Sequence, residues 1–204
     1  IHLGGGSDPG EQFSIKYQLG KLKSRIEEPT FGGEVTTFLK KTSAPIEINT
    51  SQKLQGLING GVKIITIYGH GSTSGFDIST DEVKNYQNKD RYPLVIALSC
   101  LSGNLFNEKD SKSEEFLLTP EKGSIAFFGS SGASPINSLN QLSDSLYYAI
   151  AKSHYGGSIG ELTRLGLRGL TISNPGVYNT HTMQQSTLHG DPAIVLSNFT
   201  QPDF

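Results

Sequence analysis

The chain has 204 residues, 35% of them hydrophobic and 18% charged, with a formal net charge of −2 at pH 7. That length can bury a sizeable core without staples, and the near-balanced charge, with basic residues scattered as in "KLKSR", excludes a nucleic-acid footprint. A single cysteine, Cys100, excludes an internal disulfide and four-cysteine zinc sites, and no apolar run of about 18 residues is present to span a membrane.

In chain order, "IHLGGG" opens as a strand running into a glycine-rich turn. Residues 11–28 carry Phe13, Tyr17, Leu19, Leu22 and Ile26 at helical spacing and stop at Pro29. "VTTFL" (35–39) reads as a second strand, and "TSQKLQGLINGG" as a helix with a Thr or Ser cap and a Gly stop. "VKIITIY" (62–68), "LVIALS" (94–99) and "SIAFFG" (124–129) are short, apolar and largely β-branched or aromatic, the pattern of strands buried on both faces. Between the first two, "STDEV" reads as a helix start with acids in its first turn. Residues 138–154 form a helix with Leu139, Leu142, Leu146, Ala149 and Ile150 inward, and a second helix runs from Ser158 to about Leu170. "AIVLS" (193–197), after the "HGDP" turn, reads as the last strand. Strands alternating with helices predict a mostly parallel α/β sheet covered on both faces. With no repeat or low-complexity linker, residues 1–204 read as one domain, excised from a larger exported protein although no signal peptide opens it.

Two of the strongest strands end alike: "IITIY" gives way to Gly-His70-Gly, and "VIALS" to Cys100 followed by "LSG". Ligands of open parallel sheets bind outside the carboxyl ends of the strands. As parallel neighbours these two would present His70 and Cys100 on one edge, about 5 Å apart at the backbone. A cysteine attacks as thiolate, and an adjacent imidazole takes its proton and later protonates a leaving amine. Gly71 admits a close substrate backbone, and its N–H with that of Cys100 would donate to a developing oxyanion. Packing alone gives no reason to place both special residues at one edge.

Asp8 and Glu11, beyond the first strand, are candidates to orient His70, with Asp77, Asp81 and Glu82 as rivals. His2, His154 and His181 read as structural, and His189 lies on a turn before the last strand. No His, Cys and Asp spacing matches a metal site, and "GGGSDPG" lacks the lysine of a phosphate-binding loop.

"YGHGS", "ALSCLSGNLF", "GSIAFFGSSGAS" and "TLHGDPAIVL" together resemble the gingipain-like cysteine peptidases of the caspase-like clan. The resemblance spans most of residues 1–197 and implies a caspase-like three-layer sandwich. It implies Cys100 as nucleophile, His70 as general acid/base, Gly71 and Cys100 as the oxyanion hole, and Glu11, then Asp8, as the acidic partner of the histidine. Ser99, Phe76, Ser130, Ser131 and Gly132 fall where substrate would lie, Phe76 standing where gingipains commonly carry a tryptophan. No cofactor is required, and a structural calcium ion is left open. The family includes sortases of the type IX secretion system, so the resemblance implies a peptide or protein substrate, an extracytoplasmic place at the bacterial surface, and secretion components or flanking domains as partners. A rival expectation is a peptidase-like module that no longer cuts and serves as a scaffold in a secretion complex.

Overall fold

A computed structural model describes residues 1–42, 51–106, 110–173 and 175–197. Its centre is a six-stranded sheet built from β1 (His2–Gly4), β2 (Thr37–Leu39), β3 (Ile64–Tyr68), β6 (Leu94–Leu98), β7 (Ala126–Ser130) and β8 (Ser186–Gly190). A two-stranded hairpin of β4 (Gly71–Ser72) and β5 (Gly75–Phe76) stands apart from it. The order across the sheet is β2-β1-β3-β6-β7-β8, and every pairing is parallel except that of β8 with β7. β3, β6 and β7 are buried at every residue, which explains why they are predominantly apolar.

Successive strand residues point to opposite faces, and each face holds its own core. Tyr68, Ile96, Leu98 and Phe128 meet one helical layer made of α1 (Pro9–Ile26), α4 (Ile136–Tyr148) and α5 (Ile159–Ser173). Leu3, Ile67, Val95 and Phe127 meet the other, which contains α2 (Ser51–Gly60), a 3-10 turn at Val83–Asn85 and α3 (Lys112–Leu118). The last helix, α6 (Val177–Gln185), leads into β8. The α/β sandwich with a mostly parallel sheet is therefore the observed architecture.

Several elements differ from their sequence reading. α1 starts two residues early, because the Asp8 side chain accepts from the N–H groups of Gly10 and Glu11 and Pro9 fits the first turn. Its inward seam is Ile15, Leu19, Leu22 and Ile26, leaving Phe13 and Tyr17 exposed. The helix of residues 50–61 is α2, whose expected cap lies outside what is described of the side chains. α4 stops at Tyr148 and widens into a π-helical turn, Ala149–Ser153. "STDEV" starts no α-helix; only the 3-10 turn follows, without a side-chain cap.

The largest correction concerns the last strand. Ser186–Gly190 pairs with β7, whereas residues 193–197 contribute only an isolated bridge from Val195 to Ser158. Along β8 the side chains alternate between faces, Leu188 packing toward one core and His189 stacking on Phe127 of the other, so polar and apolar residues interleave. Ile194 and Leu196 instead spend their apolar side chains as a cover over the core.

Candidate active site

β3 and β6 are parallel neighbours in the register Tyr68↔Leu98. His70 and Cys100 each lie two residues beyond that pair, so the topology sets them past the carboxyl ends of adjacent strands, on one edge of the sheet. The Gly69 N–H donates to Leu98 O at 3.4 Å, carrying the ladder one residue further toward them. A Cβ built on Gly71 would stand 2.7 Å from Cys100 O and 2.8 Å from Ser99 Cβ. The histidine loop thus lies directly on the cysteine loop, and only glycine permits that approach.

The hairpin gives Gly71 a defined orientation. The Asp77 N–H donates to His70 O at 3.1 Å, which makes 70 and 77 a hydrogen-bonded pair. The next pair, Gly71↔Phe76, is then of the non-bonded kind, so the peptide groups of Gly71 face away from β5. The hairpin tip is tied down where the Lys112 N–H, at the start of α3, donates to Thr73 O.

His70 is 56% exposed at its side chain, and its Nε2 lies 2.9 Å from Glu11 Oε2. Glu11 sits in the first turn of α1, and the same oxygen accepts from the Ser7 N–H at 2.7 Å and the Ser7 hydroxyl at 2.9 Å. Partial burial pushes the Glu11 pKa up, but the two Ser7 bonds and His70 together outweigh it and hold the carboxyl below the ordinary glutamate value. An ionised carboxylate only accepts, so His70 Nε2 carries the proton. In the neutral ring Nδ1 is then the basic nitrogen.

Cys100 is partly buried, with its sulfur 4.0 Å from Ser134 O. The following residue, Leu101, holds φ at 57°, a left-handed conformation costing about 1–2 kcal/mol for a residue with a Cβ. Its N–H is held by Gly132 O at 3.0 Å. The strained turn swings the chain sharply past Cys100, and the loop of residues 130–134 braces it.

Of the other predicted residues, Asp8 is engaged as the cap of α1, accepting from the Gly10 and Glu11 N–H groups. Phe76 is only 6% exposed and belongs to the core beneath the hairpin, so it offers substrate no open face. The Ser99 hydroxyl is buried beside Gly71 and meets no hydrogen-bond partner among the described residues. The Ser130 hydroxyl is turned inward, donating to Gly132 O and facing the Ser134 hydroxyl, while Ser131 and Gly132 lie against Gln185 at the end of α6. Among the rivals for orienting His70, Asp81 accepts from Gln55 and Glu82 pairs with Lys84.

Asp77, the remaining rival, is pinned elsewhere. It accepts from the Gly6 N–H at 2.7 Å and pairs with the buried Lys40 at 3.4 Å. Nothing in the local sequence separates Asp77 from its acidic neighbours; only the fold brings Lys40 to it.

The remaining histidines are engaged elsewhere. His2 is buried with Nε2 2.9 Å from the Tyr147 hydroxyl, and desolvation drives its pKa down to about 3. His154 closes the π turn, and His181 lies on α6 beside Gln185. His189 is in β8, not on a turn, with Nε2 against the Thr187 hydroxyl. Among the described residues no group of three or more His, Cys, Asp or Glu is placed to hold a metal, and no helix is long and apolar enough to cross a membrane.

No curated protein matches the chain significantly. Among solved structures, it is similar to the Arg-specific cysteine proteinase gingipain R at 16% identity and a TM-score of 0.78, over 95% of this chain and 46% of that one. A complex of the pro- and mature domains of RgpB from Porphyromonas gingivalis matches at 16% identity and 0.79, over 94% and 47%. A structure described simply as a protease matches at 18% and 0.73, over 95% and 48%. The chain therefore spans a little under half the length of these structures, and at such identities they share its fold. The sequence model of peptidase family C25 matches residues 15–197. A caspase-like sheet whose adjacent strand ends carry His70 and Cys100, joined to a family match over most of its length, makes this chain a member of peptidase family C25, the gingipain family.

Proposed function

We propose that residues 1–204 form a single peptidase domain that cleaves peptide bonds through an acyl-enzyme on Cys100. One observation carries the reading: the β3–β6 register puts His70 and Cys100 at equivalent positions past paired residues, with Gly71 seated on the cysteine loop. His70 Nδ1 takes the thiol proton, and the thiolate attacks the substrate carbonyl. The N–H groups of Gly71 and Cys100 receive the oxyanion. The protonated imidazole then gives its proton to the departing amine, leaving a thioester on Cys100. Water, deprotonated by the same nitrogen, releases the acid and restores the thiol. Glu11 fixes the ring and stabilises its cationic form.

In this reading the domain processes exported protein substrates outside the bacterial cytoplasm, as endopeptidase or as sortase-type transpeptidase with an amine replacing water. Partner secretion components and flanking domains belong to the same reading, as does a role for the residues 130–134 loop beside the bound peptide. The mechanism requires no metal.

The test compares wild type with Cys100→Ala on unfolded protein and on peptidyl-Arg and peptidyl-Lys reporters, alongside an acyloxymethyl ketone probe read by intact mass. Wild type should cleave and gain one adduct on Cys100, and the variant should do neither. An added amine appearing in the product marks transpeptidation. Equal labelling of the variant, or a wild-type domain that neither cleaves nor labels, would favour the silent scaffold instead.

A further inference from the structure

We propose that Asp77, neutralised by Lys40, is a positioning residue of this reaction: its carboxylate clamps the loop after β1 against the His70 hairpin and so sets the Glu11–His70 hydrogen bond. The inference rests on the reading of His70 and Cys100 as the catalytic pair.

The Lys40 and Asp77 side chains are 1% and 10% exposed. Burying an ion pair costs more in desolvation than its attraction commonly returns, so stability alone is a poor account of this one. What the pair touches supplies a better account. Lys40 follows β2, and its own N–H donates to Gly4 O at 2.8 Å, fixing it beside the end of β1. Asp77 Oδ2 receives both the Lys40 ammonium and the Gly6 N–H, the latter in the loop that runs directly into α1 and Glu11. The Asp77 main chain holds His70 O. One residue therefore grips the base loop by its backbone and the loop bearing the acidic partner by its side chain.

The glycines around it fit the same purpose. A Cβ on either Gly5 or Gly69 would overlap the Asp77 carboxylate, so both loops keep glycine at the positions that let the carboxylate pass between them. Gly6 holds φ at 116°, turning its N–H onto Oδ2. The "GGG" run that resembles an anion-binding loop has an anion from its own chain.

Without the clamp the Gly5–Asp8 turn loses its tie to the hairpin, and Glu11 Oε2 drifts from Nε2. The imidazolium is then less favoured and the Cys100 thiolate forms only at higher pH. The test measures the second-order rate of Cys100 alkylation by iodoacetamide against pH, with the adduct located by mass spectrometry and folding followed by circular dichroism. It uses wild type, Asp77→Ala, Asp77→Asn, Glu11→Gln and the double variant Asp77→Ala/Glu11→Gln. Asp77→Ala should move the acid limb of the profile up by about one pH unit, in the direction Glu11→Gln moves it, as loss of an opposite charge beside a titrating group does. Asp77→Asn, which keeps an acceptor for Gly6, should move it less. The double variant should shift no further than Glu11→Gln alone, because both act through one hydrogen bond.

An Asp77→Ala protein that melts earlier yet keeps the wild-type profile, or additive shifts in the double variant, would overturn the proposal. If the alanine variant does not fold, the isosteric asparagine variant decides on the same criterion. A wild-type Cys100 that titrates as a free thiol with no response to Glu11→Gln removes the catalytic reading itself, an outcome distinct from an intact dyad that ignores Asp77.

Discussion

Adding one methyl group at position 71 tests the contact on which the proposed site depends. In Gly71→Ala the new carbon lies 2.7 Å from Cys100 O, 2.7 Å from Ser99 Oγ and 2.8 Å from Ser99 Cβ. Carbon atoms settle about 3.5–4.0 Å apart, so the Ser99 contact is short by about 0.7 Å. Two of the three obstructing atoms are a main-chain oxygen and a Cβ at the end of a buried strand, which cannot swing away. The hairpin must move instead, carrying the Gly71 N–H and His70 with it. A displacement approaching 1 Å at reacting groups costs up to about 100-fold, so kcat should fall about 10- to 100-fold. KM should change far less, since the groups displaced act on the transition state. Overpacking costs about 1–3 kcal/mol, partly offset by about 0.4–1 kcal/mol from the stiffer unfolded chain. At about 2–4 °C per kcal/mol for a chain of this size, Tm should drop by up to about 10 °C.

The assay is kcat and KM on a peptidyl reporter after active-site titration, so that the loss is counted per competent Cys100. Ser99→Gly in the same chain removes two of the three clashing atoms, and because the Ser99 hydroxyl has no partner to lose among the described residues, it should restore part of kcat. A Gly71→Ala variant with wild-type kcat and Tm would show that the loops do not press on one another, and the argument from close approach would be wrong.

Phe76→Ala empties a site in the core under the hairpin and should cost about 3–5 kcal/mol while leaving KM nearly unchanged; a raised KM at unchanged Tm would restore Phe76 to the substrate. His2 is held neutral by burial with a pKa of about 3 against an ordinary 6.5, so the unfolded state binds its proton first as pH falls. Its contribution is complete above pH 6.5 and declines toward pH 3. The most it can supply is ~5 kcal/mol, and His2→Leu should flatten the urea-derived stability over that window; an unchanged slope there would rule out His2 as the source.

β3, β6 and β7 are legible because burial on both faces leaves them predominantly apolar, with Thr66 and Ser130 the polar exceptions, and Gly69 marks where β3 stops. Their adjacency is a different matter. Whether β3 lies beside β6 is settled by long-range packing that no local pattern encodes, and the pairing of His70 with Cys100 depends on it. The edge strand Ser186–Gly190 is hidden by its own alternation of Thr187 and His189 with Leu188, while residues 193–197, largely apolar but joined only by the bridge from Val195 to Ser158, imitate a strand. α3 and α6 escape for a related reason: each is short and polar along much of its length, so neither displays the apolar stripe by which a helix is read from sequence.

The acidic partner shows how chemistry that sequence leaves open is closed by geometry. Asp8, Glu11 and Asp77 are chemically near-equivalent, and spacing alone favours none of them. Asp8 is consumed by the N–H groups of Gly10 and Glu11, and Asp77 by Gly6 and Lys40. Of these three it is Glu11 that meets His70, and the Ser7 donors that face it help keep it ionised to lower pH than an ordinary glutamate. The sign matters for the reaction. As pH falls through that lowered value the acceptor for Nε2 is lost, whereas in the neutral ring the ionised carboxylate keeps the proton on Nε2 and, in the proposed mechanism, leaves Nδ1 to act on the thiol. A histidine at the end of a strand thereby acquires one working nitrogen, chosen by a residue 59 positions earlier in the chain.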